Sequence, residues 1–484
     1  MNSHQANPPT KFLLPGILFV VASLTACSDN SESEPANSDV QASSRPKSLI
    51  GIWEQTGYGD ILVVDSEGAD FFQYTRQGCL FVDRLDSSDL EEIFTEPQLS
   101  EDGSTLVTNP GGNSVFELQA EKRVALPDSC TEANLITDST PTATFEHLWH
   151  TFNDYYAFFT ERGVDWSDQY AKLRPLVNDN LNDEELVEII EALLEPLNDG
   201  HVNLFTDDDV LDFVELGGSY EVIVDGFNEQ TDFDDIEDFS DAVASDYLAT
   251  LSSYLDAGSE VQTGGTDDDE ITWGTIDQQV GYLHVRSMSD LDPNEDDSIS
   301  ADLIAINSIM QQALNDLEDT SALIIDVRIN GGGHDTVSLA IASYFTDQTL
   351  LVASKRARSF AGESDVKEAF ISPATDTPYL NPIAIISSSD TGSAAEIFLI
   401  AMNALPQVTL VGENSNGIFS DILTKALPNG WEIGLSNEVY TDFQGINYEV
   451  TGVEPDVFAE PFSLDAIEQN TDLAIDTALE FLGF

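Results

Sequence analysis

A serine becomes a nucleophile when a base takes its proton and fixed positive dipoles hold the oxyanion that forms. Ser393 meets the second condition by position. It stands in Ser387-Ser-Ser-Asp-Thr-Gly-Ser-Ala-Ala-Glu396, where an apolar strand pattern ends near Ser387 and a helical pattern starts near Ser393. The first turn of a helix has unpaired backbone N–H groups at the positive end of its dipole. The spacing Ser393-x-x-Glu396 also reads as a capping box, in which the hydroxyl only closes the helix. On the local pattern alone the cap is favoured. Asp326-Val-Arg-Ile-Asn-Gly-Gly-Gly333 follows another buried-strand pattern. Three glycines there expose N–H groups with no Cβ in the way, as an oxyanion hole, an anion nest or a plain turn would. The G-x-G-x-x-G spacing of a dinucleotide site is absent.

The base must come from six histidines. His4 lies in an N-terminal leader, His147 and His150 in an aromatic helical pattern, and His284 in mid-strand. His334 follows the glycines. His201 follows a helical pattern in Leu197-Asn-Asp-Gly-His201, in an expected loop. Spacing does not choose between His201 and His334. No Cys or His spacing fits a zinc site.

The elements that must position these residues fall into distinct stretches. Phe145, Leu148, Trp149, Phe152, Tyr155, Tyr156 and Phe159 recur at helical steps, and a second helix fits Asp183 to Leu197. Val280–Val285, Ala322–Val327, Pro382–Ser387 and Val408–Val411 read as buried strands, with helices over Ala301–Leu317 and Ala394–Leu405 between them. That alternation predicts an α/β core with a mainly parallel sheet. Upstream, Ile61–Val64, Phe71–Tyr74, Cys79–Val82 and Ser114–Leu118 are short, β-branched or aromatic and bounded by turn residues, which predicts strands. The expected organisation is a signal peptide over 1–26, a tether over 27–48, a small β-rich domain over 49–135, a helical cap over 140–205, an acidic insertion or linker over 206–272, and the α/β core over 273–484.

Lys11, the apolar run Phe12–Ser23 and Leu24-Thr-Ala-Cys27 form a secretory signal with a lipobox-like end. The run is shorter than the roughly 20 residues of a membrane span. The expectation is lipidation at Cys27 and retention in a bacterial cell envelope, at the outer membrane facing the periplasm. Three cysteines less Cys27 leave Cys79 and Cys130, an expected disulfide in an oxidising compartment. With 89 Asp+Glu against 17 Lys+Arg and a net charge of −72, the chain lacks the cations that phosphate or anionic lipid would need. Nucleic acid is excluded as a partner. Acids spread over a folded surface keep a protein soluble in salt, which fits a marine or halophilic source. The clusters Asp207–Asp209, Asp232–Asp241 and Asp267–Glu270 lack EF-hand spacing and read as solvated loops.

Seven segments in order resemble the tail-specific or C-terminal processing serine protease family, in the branch of the tricorn core protease and the interphotoreceptor retinoid-binding modules. They are Phe145-Glu-His-Leu-Trp149 with Gly163-Val-Asp-Trp166, Leu197–His201, Asp326–Gly333, Thr391–Glu396, Gly412-Glu-Asn-Ser-Asn-Gly417 and Gly452-Val-Glu-Pro-Asp456. The resemblance implies a crotonase-like β/α spiral core with a helical cap. It implies Ser393 as nucleophile and His201 as base, with Glu449 orienting the base in a Ser-His-Glu type site. It also implies an oxyanion hole from Gly331, Gly332 and Ala394. The relaying serine of the tricorn pattern is replaced by Gly200, so the link from Glu449 to His201 is direct or through water. The serine–lysine branch places its lysine about 25 residues after the serine. Ile418 occupies that position, which rules the dyad out. The expected activity is hydrolysis of peptides or unfolded chain ends in the cell envelope, with no metal or organic cofactor and membrane attachment through the lipid. The alternatives are an inert binding module for an apolar ligand or protein partner on the same fold, and an acidic surface that stores cations.

Overall fold

Strands that are apolar at every position need a cover on both faces, because successive side chains point to opposite sides. Ala322–Asp326 and Ile383–Ser387 are buried throughout. Leu283, Leu323, Ile325, Ile383 and Leu410 fill one hydrophobic cluster. Their neighbours Tyr282, Ala322, Ile324, Ala384 and Val411 fill another. The two clusters are the two faces of one sheet.

The computed structural model describes residues 49–484 apart from 88, 91–96, 109–117, 208, 215–217, 231–232, 234, 257–261, 265–270 and 295–297. The core sheet runs in the order Gln262–Gly264, Ile271–Ile276, Val280–Val285, Ala322–Asp326, Ile383–Ser387, Val408–Gly412 and Val457–Phe458. Its first two pairings are antiparallel and the other four parallel. Helices Ile299–Asp316 and Ala394–Met402 lie in the crossovers that parallel neighbours require. With Asp335–Ala342 they cover the first face.

The second face is covered from a region read as acidic loops. Helix Ile236–Tyr254 brings Tyr247 and Leu251 onto it, beside Ala474, Ile475 and Ala478 of helix Leu473–Leu482. A further helix spans Gly218–Glu229. The stretch 206–272 is therefore partly helical. Its acids sit on the solvent side of a helix whose stripe of Ile236, Phe239, Val243, Tyr247, Leu251 and Tyr254 keeps the helical period beneath the acidic run.

Helices Pro141–Tyr155 and Asp183–Leu194 pack their apolar faces together with Trp166 and a second sheet. That sheet orders Ile422–Ala426, Glu432–Ser436, Asp199–Phe205 and Val210–Phe213. His201 thus lies on a strand, not in a free loop. Asn198 at φ 45° makes the left-handed turn that ends the preceding helical turn and starts this strand.

The small N-terminal domain is one antiparallel sheet, ordered Cys79–Leu85, Ala69–Tyr74, Asp60–Val64, Gly51–Gln55, Leu118–Arg123, Thr105–Thr108 and Gln98–Leu99. Cys79 and Cys130 are joined by a disulfide that ties its edge strand to the segment leading into the helices. Buried polar contacts dock it. Lys425 Nζ lies 2.5 Å from Asp60 Oδ1, and Tyr155 donates to the Tyr74 carbonyl at 2.6 Å. Residues 1–48, with Cys27, lie outside the described residues, as do 114–117 of the expected Ser114–Leu118 strand and Asp267–Glu270.

Candidate active site

The strand Ile383–Ser387 delivers the chain to a turn that is tied to the glycine turn beside it. Thr391 Oγ1 donates to the Val327 carbonyl at 2.9 Å, and Gly392 N–H to the Asn330 carbonyl at 3.0 Å. Ser393 follows at φ 51°, ψ −124°. A non-glycine residue held there stores on the order of 1–3 kcal/mol of strain. It caps a helix of nine buried residues, Ala394–Met402, but its side chain makes no capping bond. The hydroxyl is left free.

Glu396 explains why. Its backbone N–H, which a capping hydroxyl would accept, goes to the Ser393 carbonyl at 2.8 Å, and its carboxylate is fully buried. It accepts from Ser415 Oγ at 2.5 Å, Gly417 N–H at 2.7 Å and Ile418 N–H at 2.8 Å. Burial pushes its pKa up to about 7 against those hydrogen bonds and one from the Ser393 backbone. Glu396 therefore keeps half of a capping box, and the serine half is not formed.

The glycine turn lies directly against the serine. A Cβ on Gly332, at φ 122°, would fall 2.7 Å from Ser393 Cβ and 3.1 Å from Ala394 N. Only glycine allows that approach. Gly332 is nevertheless not a free donor, because its N–H is held by Asn330 Oδ1 at 2.9 Å. Asn330 is in turn fixed by the Val285 carbonyl at 3.0 Å. That corrects the expected oxyanion hole. Ala394, the first helical residue, has no intrahelical acceptor for its N–H. Gly331 is exposed. Ala394 N–H is the open donor at this contact, and Gly332 acts as spacer and support.

His201 is buried, and its own N–H donates to Asp199 Oδ1 at 3.0 Å. Asp199 also takes the Tyr156 hydroxyl at 2.7 Å and lies 3.4 Å from Arg162 Nε. Arg162 Nη2 reaches Glu449 Oε1 at 3.2 Å, and Glu449 Oε2 accepts the Phe419 N–H at 2.9 Å. Glu449 thus pairs with Arg162, not with the imidazole. His201 Nδ1 is buried without a hydrogen-bond partner among the described residues. Burial lowers the His201 pKa, opposed by the Asp199 and Asp421 charges and by a hydrogen bond to the Ser420 backbone. Burial and the nearby Asp199 charge raise Glu449 well above the usual carboxylate range, and Arg162 opposes them.

One segment, Ser415–Asp421, joins the two halves. Its N–H groups serve Glu396 and Glu449, and its Ser420 backbone meets His201. Ile418 packs between them. Its Cδ1 would lie 3.3 Å from a Cβ on Gly200 and 3.1 Å from one on Gly392. The residues just before His201 and Ser393 therefore flank one methyl group.

His334, the other candidate base, caps helix Asp335–Ala342, and its Nε2 lies 3.5 Å from buried Asp302. His147 and His284 are buried, and burial brings each to a pKa of about 4. No group of three or more acidic, Cys or His side chains among the described residues has the arrangement of a metal site. The roles of Glu396, Asn330, Asp199 and Arg162 were not read from the sequence. Asp199 and Asn330 sit inside the quoted motifs, and Arg162 immediately precedes one.

Residues 279–459 match the model of peptidase family S41, and residues 140–195 that of the tricorn protease C1 domain. Over residues 279–459 the core is similar to peptidase family S41. The chain is 22% identical over 192 residues to the chloroplastic C-terminal processing peptidase of Tetradesmus obliquus, covering 39% of this chain and 37% of that protein. It is 23% identical over 207 residues to the tricorn protease of Thermoplasma volcanium, covering 42% of this chain and 17% of that protein. The chain thus spans well under two thirds of either relative's length. A solved structure of a candidate peptidase from Parabacteroides merdae superposes with a TM-score of 0.57 at 25% identity, over 72% of this chain and 98% of that one. The S41-like core, the helical layer and the small antiparallel domain together give the mixed α/β, crotonase-like fold that the sequence implies.

Proposed function

We propose that this S41-like chain is a serine peptidase that cuts peptides or unfolded chain ends by acyl transfer. One observation carries the reading. Ser393 is held at positive φ at the head of a buried helix, with no capping bond from its side chain and its hydroxyl free beside the glycine turn. Ser393 Oγ bonds to the scissile carbonyl carbon as its proton passes to His201. The N–H groups of Ala394 and Gly331 hold the oxyanion. Collapse breaks the C–N bond, and His201 returns the proton to the leaving amine. Water then repeats the cycle on the acyl-enzyme, restoring Ser393. Glu449 acts at one remove, through Arg162 and Asp199, on the strand that carries His201.

A peptide library read by mass spectrometry tests this. Discrete cleavage products are expected from the wild type and none from Ser393→Ala. Equal products from both would end the assignment. The Lys11–Cys27 pattern supports export and lipid anchoring in the cell envelope, facing the periplasm. Incorporation of labelled fatty acid should be lost in Cys27→Ala, and incorporation that persists would contradict the anchor.

A further inference from the structure

The small β domain lies outside both family matches, yet one of its residues enters the core beside the candidate base. Tyr58 sits on the turn between Gly51–Gln55 and Asp60–Val64, between two glycines at φ 96° and 74°. The turn is pressed into place. A Cβ on Gly57 would lie 2.9 Å from Ala357 Cβ, and one on Gly59 would overlap the Tyr155 hydroxyl at 2.1 Å. From this tip Tyr58 donates its hydroxyl to Glu438 Oε1.

Glu438 is buried, and it links the turn to the site in two ways. Its backbone N–H donates to Ser420 Oγ at 3.0 Å, and the Ser420 backbone hydrogen-bonds the His201 ring. Its Oε2 accepts Lys355 Nζ at 2.9 Å, and Lys355 also holds Asp421 Oδ2 at 2.6 Å. Tyr440 spans Asp421 at 2.8 Å and Asp335 at 2.9 Å, and Asp335 is the first helical residue after the glycine turn. One hydroxyl hydrogen cannot serve both carboxylates. Burial pushes Asp335 up to about 7, so below that pH its protonated form supplies the second hydrogen. Tyr58 fills one acceptor of this network, Glu438 Oε1. A buried acceptor left open in a network draws its neighbours out of place.

We propose that Tyr58 is a positioning residue for His201: the β domain completes the S41-like site by fixing Glu438, and through it the Ser420–Asp421 segment against which the imidazole rests. This rests on the reading of Ser393 and His201 as the reacting pair. It separates Tyr58 from ordinary docking contacts such as Gln73, which lies opposite Asp60 and bonds the Thr424 carbonyl and the Ala426 N–H rather than Glu438.

The test compares full-length wild type, Tyr58→Phe and Gln73→Ala on a peptide that the wild type cleaves. Tyr58→Phe keeps the ring and its packing. It should lower kcat roughly tenfold with KM unchanged, since small misplacements of a base cost rate and not binding. Gln73→Ala should keep the wild-type kcat. Restoring tyrosine at 58 should restore the rate. An unchanged kcat in Tyr58→Phe, or an equal fall in Gln73→Ala, would overturn the proposal. Fluorophosphonate labelling of Ser393 keeps the two failures apart. If wild type is labelled at Ser393 while Tyr58→Phe is fully active, only the role of Tyr58 falls. If Ser393 is never labelled, the underlying reading falls with it.

Discussion

The two halves of the site are built differently. The nucleophile half comes from neighbouring strand ends of one sheet, Ala322–Asp326 and Ile383–Ser387, and hydrogen bonds to one buried carboxyl, Glu396, hold it. The base half is gathered from distant parts of the chain. His201 and Asp199 come from one strand, Arg162 from a turn before helix Trp166–Leu173, and Glu449 from a turn near the C-terminus. A buried ion cluster with one cation and two carboxylates holds it. A parallel sheet places its strand ends in register for every turn at that edge, so local sequence suffices there. Charges buried far from their sequence neighbours must be paired in space, so the base half depends on the whole fold.

Removing each anchor tests that contrast. Glu396→Ala has the largest expected effect. It leaves three buried donors without an acceptor, at roughly 1–3 kcal/mol each. A fall of about 4 kcal/mol or more in unfolding free energy is expected from denaturant titration, with the acid limb of kcat/KM unmoved in any folded fraction. Arg162→Met comes next. It leaves Asp199 and Glu449 buried together without their cation, a loss of about 3 kcal/mol. This variant should also move the acid limb. Burial holds His201 below its usual 6.5, so in the wild type the ring stays neutral, and able to accept a proton, to a pH below 6.5. The nearby Arg162 charge contributes to that lowering, so its removal should shift the limb upward. A limb that moves in Glu396→Ala and not in Arg162→Met would break the contrast. Gly332→Ala is expected to cost the least. Its Cβ would press on Ser393 Cβ at 2.7 Å and force the turn from φ 122°. The expected result is a loss of about 100-fold in kcat, near 2.7 kcal/mol, with a smaller loss of about 1 kcal/mol or somewhat more in stability. Full activity would mean that the glycine turn is not the support of the serine.

The same contrast decides what could be read from the sequence. The core strands were legible because sheet burial on both faces writes unbroken apolar runs, as in Ile383–Ser387. Ser393 and the glycine turn were legible because each follows such a run directly. The cap at Ser393 misled in part, since a capping-box spacing does not say which residue leaves the pair. Ser393 left it, while Glu396 kept its bond to the Ser393 backbone and also binds a segment some 20 residues on, which no local pattern records. Helix Ile236–Tyr254 was legible in the spacing of Ile236, Phe239, Val243, Tyr247, Leu251 and Tyr254, and was masked only by the acids that cover its exposed face. His201 was placed through family resemblance, and its strand, like Arg162, became visible only in three dimensions. The link from Glu449 was expected to run to the imidazole and instead runs to Arg162. The acid excess says little about chemistry, yet two of the 89 acids, Glu396 and Glu449, anchor the segment between the halves.

The central claim is that Ser393 is the nucleophile. Its most direct test is reaction of the intact protein with a fluorophosphonate, followed by proteolysis and mass mapping of the adduct. The account predicts one adduct, on the peptide that contains Ser393. It should be absent from Ser393→Ala and formed far more slowly in His201→Ala. An adduct on another serine, or one that persists in Ser393→Ala, would contradict it.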